Sequence, residues 1–376
     1  MARIAFIDQT GADAGGAQES FALLLRFLPP DIEPHVVLFQ EGNYAARLRA
    51  LGFDVTVFPI SQSIAQATRE QSGVTSALDG IRAAVRLSSW LRRSKIELVY
   101  THTVKAHFIA APAALFAGIP CVMHVRDILE GRSRAALRTV AASCSKRRIA
   151  ISSAVAKAYA LPATSVVFNP VELSAYADLP AREQAYRRIG IEYDPDVPLI
   201  GIVGRINRWK GHDRFLRIAQ SIAARMPARF LIAGSAIFRD ADFLEELQTQ
   251  CDLLGIRDRV VFVPWTDEVR WIYAALDLHC NCSTREPFGR TVIEAAAAGV
   301  PTVCFSDSGV SETIVDGITG RVVPAADEAA FTQAAIELLA ERGSPAMRPA
   351  LREFARRFDP STHAAQIAHI LRKAAV

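Results

Sequence analysis

No run of the 376 residues is long and apolar enough to read as a membrane span. The nearest, HFIAAPAALFAGIPCVM (107–123), is alanine-rich, interrupted by two prolines and weakly apolar. No basic leader with a cleavage site precedes the first apolar stretch, RIAFID, so the expected location is cytoplasmic. Cysteine is scarce: six, with no C-x-x-C pair among Cys121, Cys144, Cys251, Cys280, Cys282 and Cys304. That spacing argues against a disulfide scaffold and for reduced, mostly buried thiols. Cys280 and Cys282 share the apolar pattern DLHCNCS, but no second Cys/His pair completes a zinc site. The G-x-G-x-x-G fingerprint is missing, which argues against a dehydrogenase. Two Asp-x-Asp strings read as structural: Asp194/Asp196 in a proline-rich turn and Asp240/Asp242 at a helix cap. No metal site and no cofactor are therefore expected.

What is present is an α/β chain written twice. Its length exceeds a single core, and 51% of its residues are apolar, which suits two globular domains. Six apolar strand patterns (RIAFID, HVVLF, DVTVF, IELVYTH, PCVMHV, RRIAIS) alternate with helical stretches in the first half. After the connection SVVFNPVELSAYADLPA the pattern restarts with LIGIVG, RFLIAG, RVVFVPW, DLHCNCS and PTVCF. Such alternation is the signature of doubly wound parallel sheets. The expected fold is two Rossmann-like doubly wound parallel-sheet domains facing one another across a ligand cleft.

Charge is unevenly spread. Residues 81–148 hold thirteen Lys/Arg against three Asp/Glu, a window of +10, so the remainder of a chain of net +4 sums to −6. In IRAAVRLSSWLRRSK, helical spacing puts Arg82, Arg86 and Arg93 on one face, with Ile81, Ala84, Val85 and Leu91 roughly opposite. A solvated helix face accounts for this. Attraction to an anionic membrane surface is the functional alternative. No nucleic-acid motif accompanies the charge, so nucleic acid is not expected as a partner.

The chemistry concentrates in STREPFGRTVIEAAAAGVP. The helix start is expected near Gly289 or Arg290, which leaves Glu286, Phe288 and Gly289 in a strand-to-helix loop at the carboxyl edge of a sheet. Helix-start N–H groups suit an anion or a sugar hydroxyl, and Gly289 permits close backbone approach. Glu286 and Glu294 can each accept hydrogen bonds from paired hydroxyls, as sugars and riboses offer. On spacing alone, a surface Glu286 and a Glu294 that merely supports the helix fit equally well. GIVGRINRWKGHDRF adds Arg205 and Lys210 after another strand, two cations able to hold a diphosphate. Gly15 and Gly16 open a helix in the first half, a weak signal for phosphate approach. His102, His107, His124, Arg126 and Asp127 gather at two strand ends, although a lone histidine is more often structural.

Glu286-Pro-Phe-Gly followed by Glu294-Ala-x-Ala-x-Gly-x-Pro resembles the E-x7-E motif of retaining GT-B glycosyltransferases, family four in particular. GGAQESFALLLRFL, FNPVEL, GRINRWKG and SGVSETIVDGITGRVV are similar to further family segments, with Ser308-Gly309 where Gly-Gly is usual. The resemblance spans nearly the whole chain. It implies an acceptor-binding domain of residues 1–172 plus a returning C-terminal helix at 361–376, and a donor-binding domain of residues 173–360. It implies that Glu286 and the backbone of Phe288–Arg290 hold the donor sugar, and that Glu294 holds the ribose. Arg205 and Lys210 would neutralise the departing diphosphate, and Gly16 would let the first domain approach the phosphates. Arg126 aligns with the family's acceptor-side histidine; His124 lies two residues earlier, and either is a candidate. The implied reaction is metal-independent hexosyl transfer with retention, from a UDP- or GDP-linked sugar to a glycan, lipid-linked or small-molecule acceptor. Attack comes from the face the diphosphate leaves. A sugar-nucleotide epimerase and a non-catalytic sugar-nucleotide-binding protein are the alternatives.

Overall fold

In the computed structural model, residues 2–12, 15–65, 74–236, 241–307, 309–342, 344 and 346–375 are described. The chain divides into two compact units: Met1–Pro170 with Pro360–Val376, and Val171–Asp359. Each is built on a parallel sheet, in which consecutive strands require a crossover connection.

The first unit contains β1 (Ala2–Asp8), β2 (Ile32–Leu38), β3 (Asp54–Val57), β4 (Leu98–Thr101), β5 (Cys121–Val125), β6 (Arg147–Ala150) and β7 (Thr164–Val166). Their spatial order is β3-β2-β1-β4-β5-β6-β7. The chain winds outward from β1 in one direction and then from β4 in the other. The crevice outside the carboxyl ends of β1 and β4 is therefore the topological switch point, where open α/β sheets take ligands. The strands carry near-continuous apolar residues because helices cover both faces. Ile4, Phe6, Val36, Leu98, Tyr100 and Val122 pack with Phe21 and Leu24 of helix Gly16–Arg26. Ala364, Ile367 and Leu371 of helix Pro360–Ala375 complete that core.

The second unit contains β8 (Leu199–Val203), β9 (Arg229–Ala233), β10 (Val260–Val263), β11 (Leu278–Asn281), β12 (Thr302–Phe305) and β13 (Gly320–Val323). Their order, β10-β9-β8-β11-β12-β13, puts the switch point between β8 and β11. Ile200, Ile202, Phe215, Phe230, Leu247, Phe305 and Phe331 are among its buried core.

Three differences from the sequence reading have physical causes. β7 and β13 are additional strands of three and four residues. Both are outermost in their sheets and broken by polar residues or glycine (Thr164 and Ser165; Gly320 and Arg321), and β7 overlaps the start of the segment taken as a connection. Helix Val74–Arg93 is rotated from the expected setting. Ala83, Ala84, Leu87, Ser88 and Leu91 face inward, whereas Ile81 and Val85 are 57% and 51% exposed beside the arginines. Ile81 and Val85 are one helical turn apart, and Arg82 and Arg86 follow them directly, so all four share the outward side. Asp240 and Ser308 lie outside the described residues.

Candidate active site

In the second unit, β8 delivers the chain to Gly204 and Arg205, and a short 3-10 turn, Arg208–Lys210, follows. Asn207 caps that turn by accepting the Lys210 backbone N–H at 3.2 Å. Gly211 then adopts φ +73°, and a Cβ there would stand 2.2 Å from the carbonyl oxygen of Cys282. Only glycine permits both the left-handed backbone and that approach. The loop after β8 is thereby pressed against the end of β11, and the Thr284 N–H donates to the Trp209 carbonyl at 3.0 Å.

This closeness brings Lys210 to Glu286. Lys210 Nζ lies 2.5 Å from Glu286 Oε2, with side-chain exposures of 17% and 10%. Lys210 also stands 4.3 Å from the centre of the Trp209 ring. Arg205 is exposed, with no ion-pair partner among the described residues.

Glu286 opens the path into helix Arg290–Ala298, whose N-cap is Gly289 at φ +90°. A Cβ on Gly289 would meet the Val310 side chain at 2.7 Å. The Phe288 ring is buried against Phe358, centroids 6.0 Å apart. Its side chain thus belongs to the core, and of Phe288 only the backbone is left to meet a ligand. Glu294 sits on the helix, Oε2 accepting from the Tyr273 hydroxyl at 3.1 Å and Oε1 3.3 Å from Arg290 Nη2. Ala295–Ala298 are buried, so the four alanines serve helix packing.

In the first unit, Asp8 ends β1 and His102 directly follows β4. His102 Nδ1 is 3.0 Å from Asp8 Oδ2. The other Asp8 oxygen accepts from Gln18 Nε2 and from the Thr10 N–H, both at 3.2 Å. Gln18 Oε1 accepts the Gly15 N–H at 3.1 Å. Burial raises the Asp8 carboxyl to about 6, opposed by Gln18, the Thr10 and Gln9 N–H groups and the Arg126 charge. Burial, reinforced by Arg126, holds His102 and His124 well below the ordinary histidine range.

His124 corrects the sequence reading. It is on β5 as expected, but fully enclosed: Tyr100 OH lies 2.5 Å from Nδ1, and the ring stacks on His363 of the C-terminal helix at 6.2 Å. Burial keeps the Tyr100 hydroxyl protonated; it shares a hydrogen bond with Nδ1, and Nε2 is left enclosed without a partner. A ring so placed packs the sheet against the helix and does not reach a substrate. Arg126, just beyond β5, is 7% exposed at the carboxyl edge.

Asp8 and Gln18 escaped the sequence reading. Asp8 looks like an ordinary strand end, although a polar residue closing RIAFID is a usable signal. Gln18 stands three residues after the N-cap Gly15, the spacing of a capping box. The six cysteines are free, and Asp194 caps its own turn by accepting the Asp196 N–H at 2.9 Å. Among the described residues, no group of three His, Cys, Asp or Glu could hold a metal ion, and no helix is long and apolar enough to cross a membrane.

Comparison with known proteins bears on this geometry. The family model "Glycosyl transferases group 1" matches residues 188–358, and "Glycosyltransferase Family 4" matches residues 42–175. A D-inositol 3-phosphate glycosyltransferase of Mycobacterium sp. (strain JLS) is 35% identical over 180 residues, 47% of this chain and 40% of that protein. The match thus spans less than half the length of that relative. The lipopolysaccharide core biosynthesis mannosyltransferase LpsB of Rhizobium meliloti (strain 1021) is 29% identical over 60% of this chain and 67% of its own. Among solved structures, Anabaena Alr3699/HepE in complex with UDP and glucose superposes with a TM-score of 0.82 at 24% identity, covering 99% of this chain and all of the other. That likeness extends over both units and establishes the two-sheet GT-B fold. With one model covering most of the first unit and the other most of the second, the chain belongs to the family-four, group 1 glycosyltransferases.

Proposed function

We propose that this chain is a metal-independent, retaining glycosyltransferase that moves a hexosyl group from a UDP- or GDP-linked sugar to a glycan or lipid-linked acceptor. The observation that carries the reading is the Lys210–Glu286 pair at the β8/β11 switch point. A nucleotide-diphosphate sugar offers each member a new partner: phosphate oxygens for Lys210, sugar hydroxyls for Glu286. Arg205, exposed on the same loop, is a second cation for the diphosphate. Positive groups on a departing phosphate stabilise the charge that grows in the transition state. The backbone at Phe288–Arg290 supports the sugar, and Glu294, oriented by Tyr273 and Arg290, takes the ribose hydroxyls.

The acceptor belongs to the first unit, where the largely buried His102 and Arg126 follow two strand ends and Gly15 and Gly16 open the first helix. Outward on helix Val74–Arg93, Leu78, Ile81 and Val85 are about half exposed alongside Arg82 and Arg86. Apolar side chains among cations suit the surface of an anionic membrane, where a lipid-linked acceptor resides.

The test is a thermal-shift panel of UDP-, GDP- and ADP-sugars, followed by a transfer assay with and without EDTA. One donor raises the midpoint; a thousandfold excess over its dissociation constant adds about 4 kcal/mol. Transfer survives EDTA, and the anomeric configuration is kept. Accumulation of an epimer without acceptor, or undiminished transfer by Glu286→Ala, overturns the reading.

A further inference from the structure

Both units carry a polar pair across their switch point: Lys210–Glu286 in the second and Asp8–His102 in the first. In the first, the β1/β4 register pairs Ile7 with Thr101, and continuing it brings Asp8 alongside His102. Asp8 is fully enclosed, an expensive place for a carboxylate. Its oxygens are used on both sides: Oδ2 by His102, Oδ1 by Gln18 and the Thr10 N–H. Gln18 continues the chain of bonds to the Gly15 N–H and is itself held by the Tyr44 hydroxyl, which donates to its carbonyl at 2.9 Å. The His102 side chain is only 1% exposed; its Nε2 has no hydrogen-bond partner among the described residues, and unlike His124 Nε2 it is not among the fully enclosed ring nitrogens.

We propose that Asp8 is a positioning residue for the transfer reaction: with Gln18 it fixes the protonation pattern of His102, so that Nε2 offers a lone pair to a sugar hydroxyl of the acceptor, and it ties that ring to the Gly15–Gly16 turn. The proposal rests on the glycosyltransferase reading above. With Asp8 ionised, Nδ1 must carry the ring proton and donate it to Oδ2, which leaves Nε2 as the acceptor. Oδ1 already accepts two N–H groups, so one proton taken from solvent settles on the ring or on Oδ2, and either reverses this. On the ring it gives an imidazolium, with N–H at both nitrogens. On Asp8 the carboxylic O–H donates to Nδ1, and the neutral ring carries its proton on Nε2. In either arrangement Nε2 becomes a donor and can no longer receive a hydroxyl proton. The pair titrates as a unit. The groups around it are Gln18, Tyr44, Tyr100, His107 and Arg126; His124 and His363 lie beyond His102. Arg126 works against the imidazolium form.

The experiment has two arms on the full-length chain. Nitrogen-15 NMR of the histidine rings, with His102 assigned by His102→Gln, reads the tautomer directly. Wild type at pH 7.5 shows Nδ1–H at His102, and Asp8→Asn shows Nε2–H, because the Asn amide donates to Nδ1. Nε2–H in the wild type, or an unchanged tautomer in the variant, overturns the proposal. The second arm measures kcat/KM for the acceptor against pH. Wild type loses activity on an acid limb near pH 6. Asp8→Asn is roughly 10- to 100-fold slower at pH 7.5 and lacks that limb, while its donor-induced thermal shift is unchanged. Retention of the limb in Asp8→Asn overturns the proposal, as does a uniform loss of donor binding, which marks a purely structural role. If no donor supports transfer at all, the glycosyltransferase reading fails, and the NMR arm still decides what Asp8 does.

Discussion

Lys210 Nζ lies 2.5 Å from Glu286 Oε2, so the loop leaving β8 and the loop leaving β11 are tied where the strand order reverses. Both side chains are mostly enclosed, and the pair is therefore more than a surface ion pair worth a fraction of a kcal/mol. Lys210→Ala leaves an enclosed carboxylate without its cation. For fully buried pairs such truncation costs about 3–5 kcal/mol, and the remaining access to water lowers that here. Either single alanine variant is expected to unfold at clearly lower denaturant, and the double variant to lose less than the sum. A double-mutant cycle from urea unfolding checks this, and strict additivity contradicts a coupled pair. Both single variants are also expected to abolish the donor-induced thermal shift.

Gly211 fixes the approach of these two loops. Gly211→Ala combines a φ of +73° with a Cβ 2.2 Å from the backbone oxygen of Cys282, where no flexible side chain can give way. The left-handed conformation alone costs about 1 kcal/mol, and the clash must be relieved by backbone movement. The expected outcome is a loss of more than about 2 kcal/mol together with weaker donor binding, because Lys210 is the preceding residue. Denaturant unfolding and donor titration of Gly211→Ala measure both. A variant with wild-type stability shows that the loop lies elsewhere.

The outward face of helix Val74–Arg93 carries a separate expectation. The chain should sediment with vesicles rich in phosphatidylglycerol and not with pure phosphatidylcholine, and binding should weaken as salt rises. Each arginine near such a surface is worth about 1 kcal/mol, so Arg82→Glu/Arg86→Glu should lower the partition coefficient by more than tenfold. Equal binding to both vesicle types removes the membrane from the picture.

How much of this was legible beforehand differs by level. The alternation of apolar strands and helices carried the two sheets, and the central strands were all recognisable because each is a four- to seven-residue apolar run. β7 and β13 were not: β7 is three residues with Thr164 and Ser165 among them, and β13 begins Gly320-Arg321, so neither shows the apolar pattern that marked the equally short edge strands β3 and β10. The loops holding Glu286, Arg205 and Lys210 were readable as strand-to-helix connections. That Lys210 and not Arg205 meets Glu286 was not, because it depends on Gly211 folding under Cys282, a contact between residues 71 positions apart. His124 and Arg126 are two residues apart, and strand alternation treats them alike. The end of β5 separates them: His124 is inside the sheet under the C-terminal helix, and Arg126 is past its edge. Asp8 could be recognised only through its partner 94 positions away.

Buried histidines give the fold a one-sided dependence on pH. Burial keeps His107, His279 and His363 neutral down to about 3 and His212 down to about 4, and holds His102 and His124 well below the ordinary value of 6.5. In the unfolded chain each takes up a proton as pH falls through 6.5 while the native ring does not. The unfolded state then binds more protons, and stability falls by about 1.4 kcal/mol per pH unit for each ring so held. Asp8 acts in the opposite sense: its native value of about 6 lies above the unfolded 3.8, so between those values the folded state binds the extra proton and gains stability on acidification. One carboxyl cannot offset the four enclosed histidines of its own unit, and the second unit holds His212 and His279 with no such counterweight. The thermal midpoint should therefore be level above pH 7 and drop progressively from about pH 6.5 to 4.5. His279→Gln is the sharpest check. The amide can still meet the Thr302 hydroxyl, 3.1 Å from His279 Nδ1, but cannot take a charge. Whatever it costs at pH 7.5, that variant should lose less stability on acidification than the wild type; a parallel decline contradicts the assignment of the acid sensitivity to the enclosed rings.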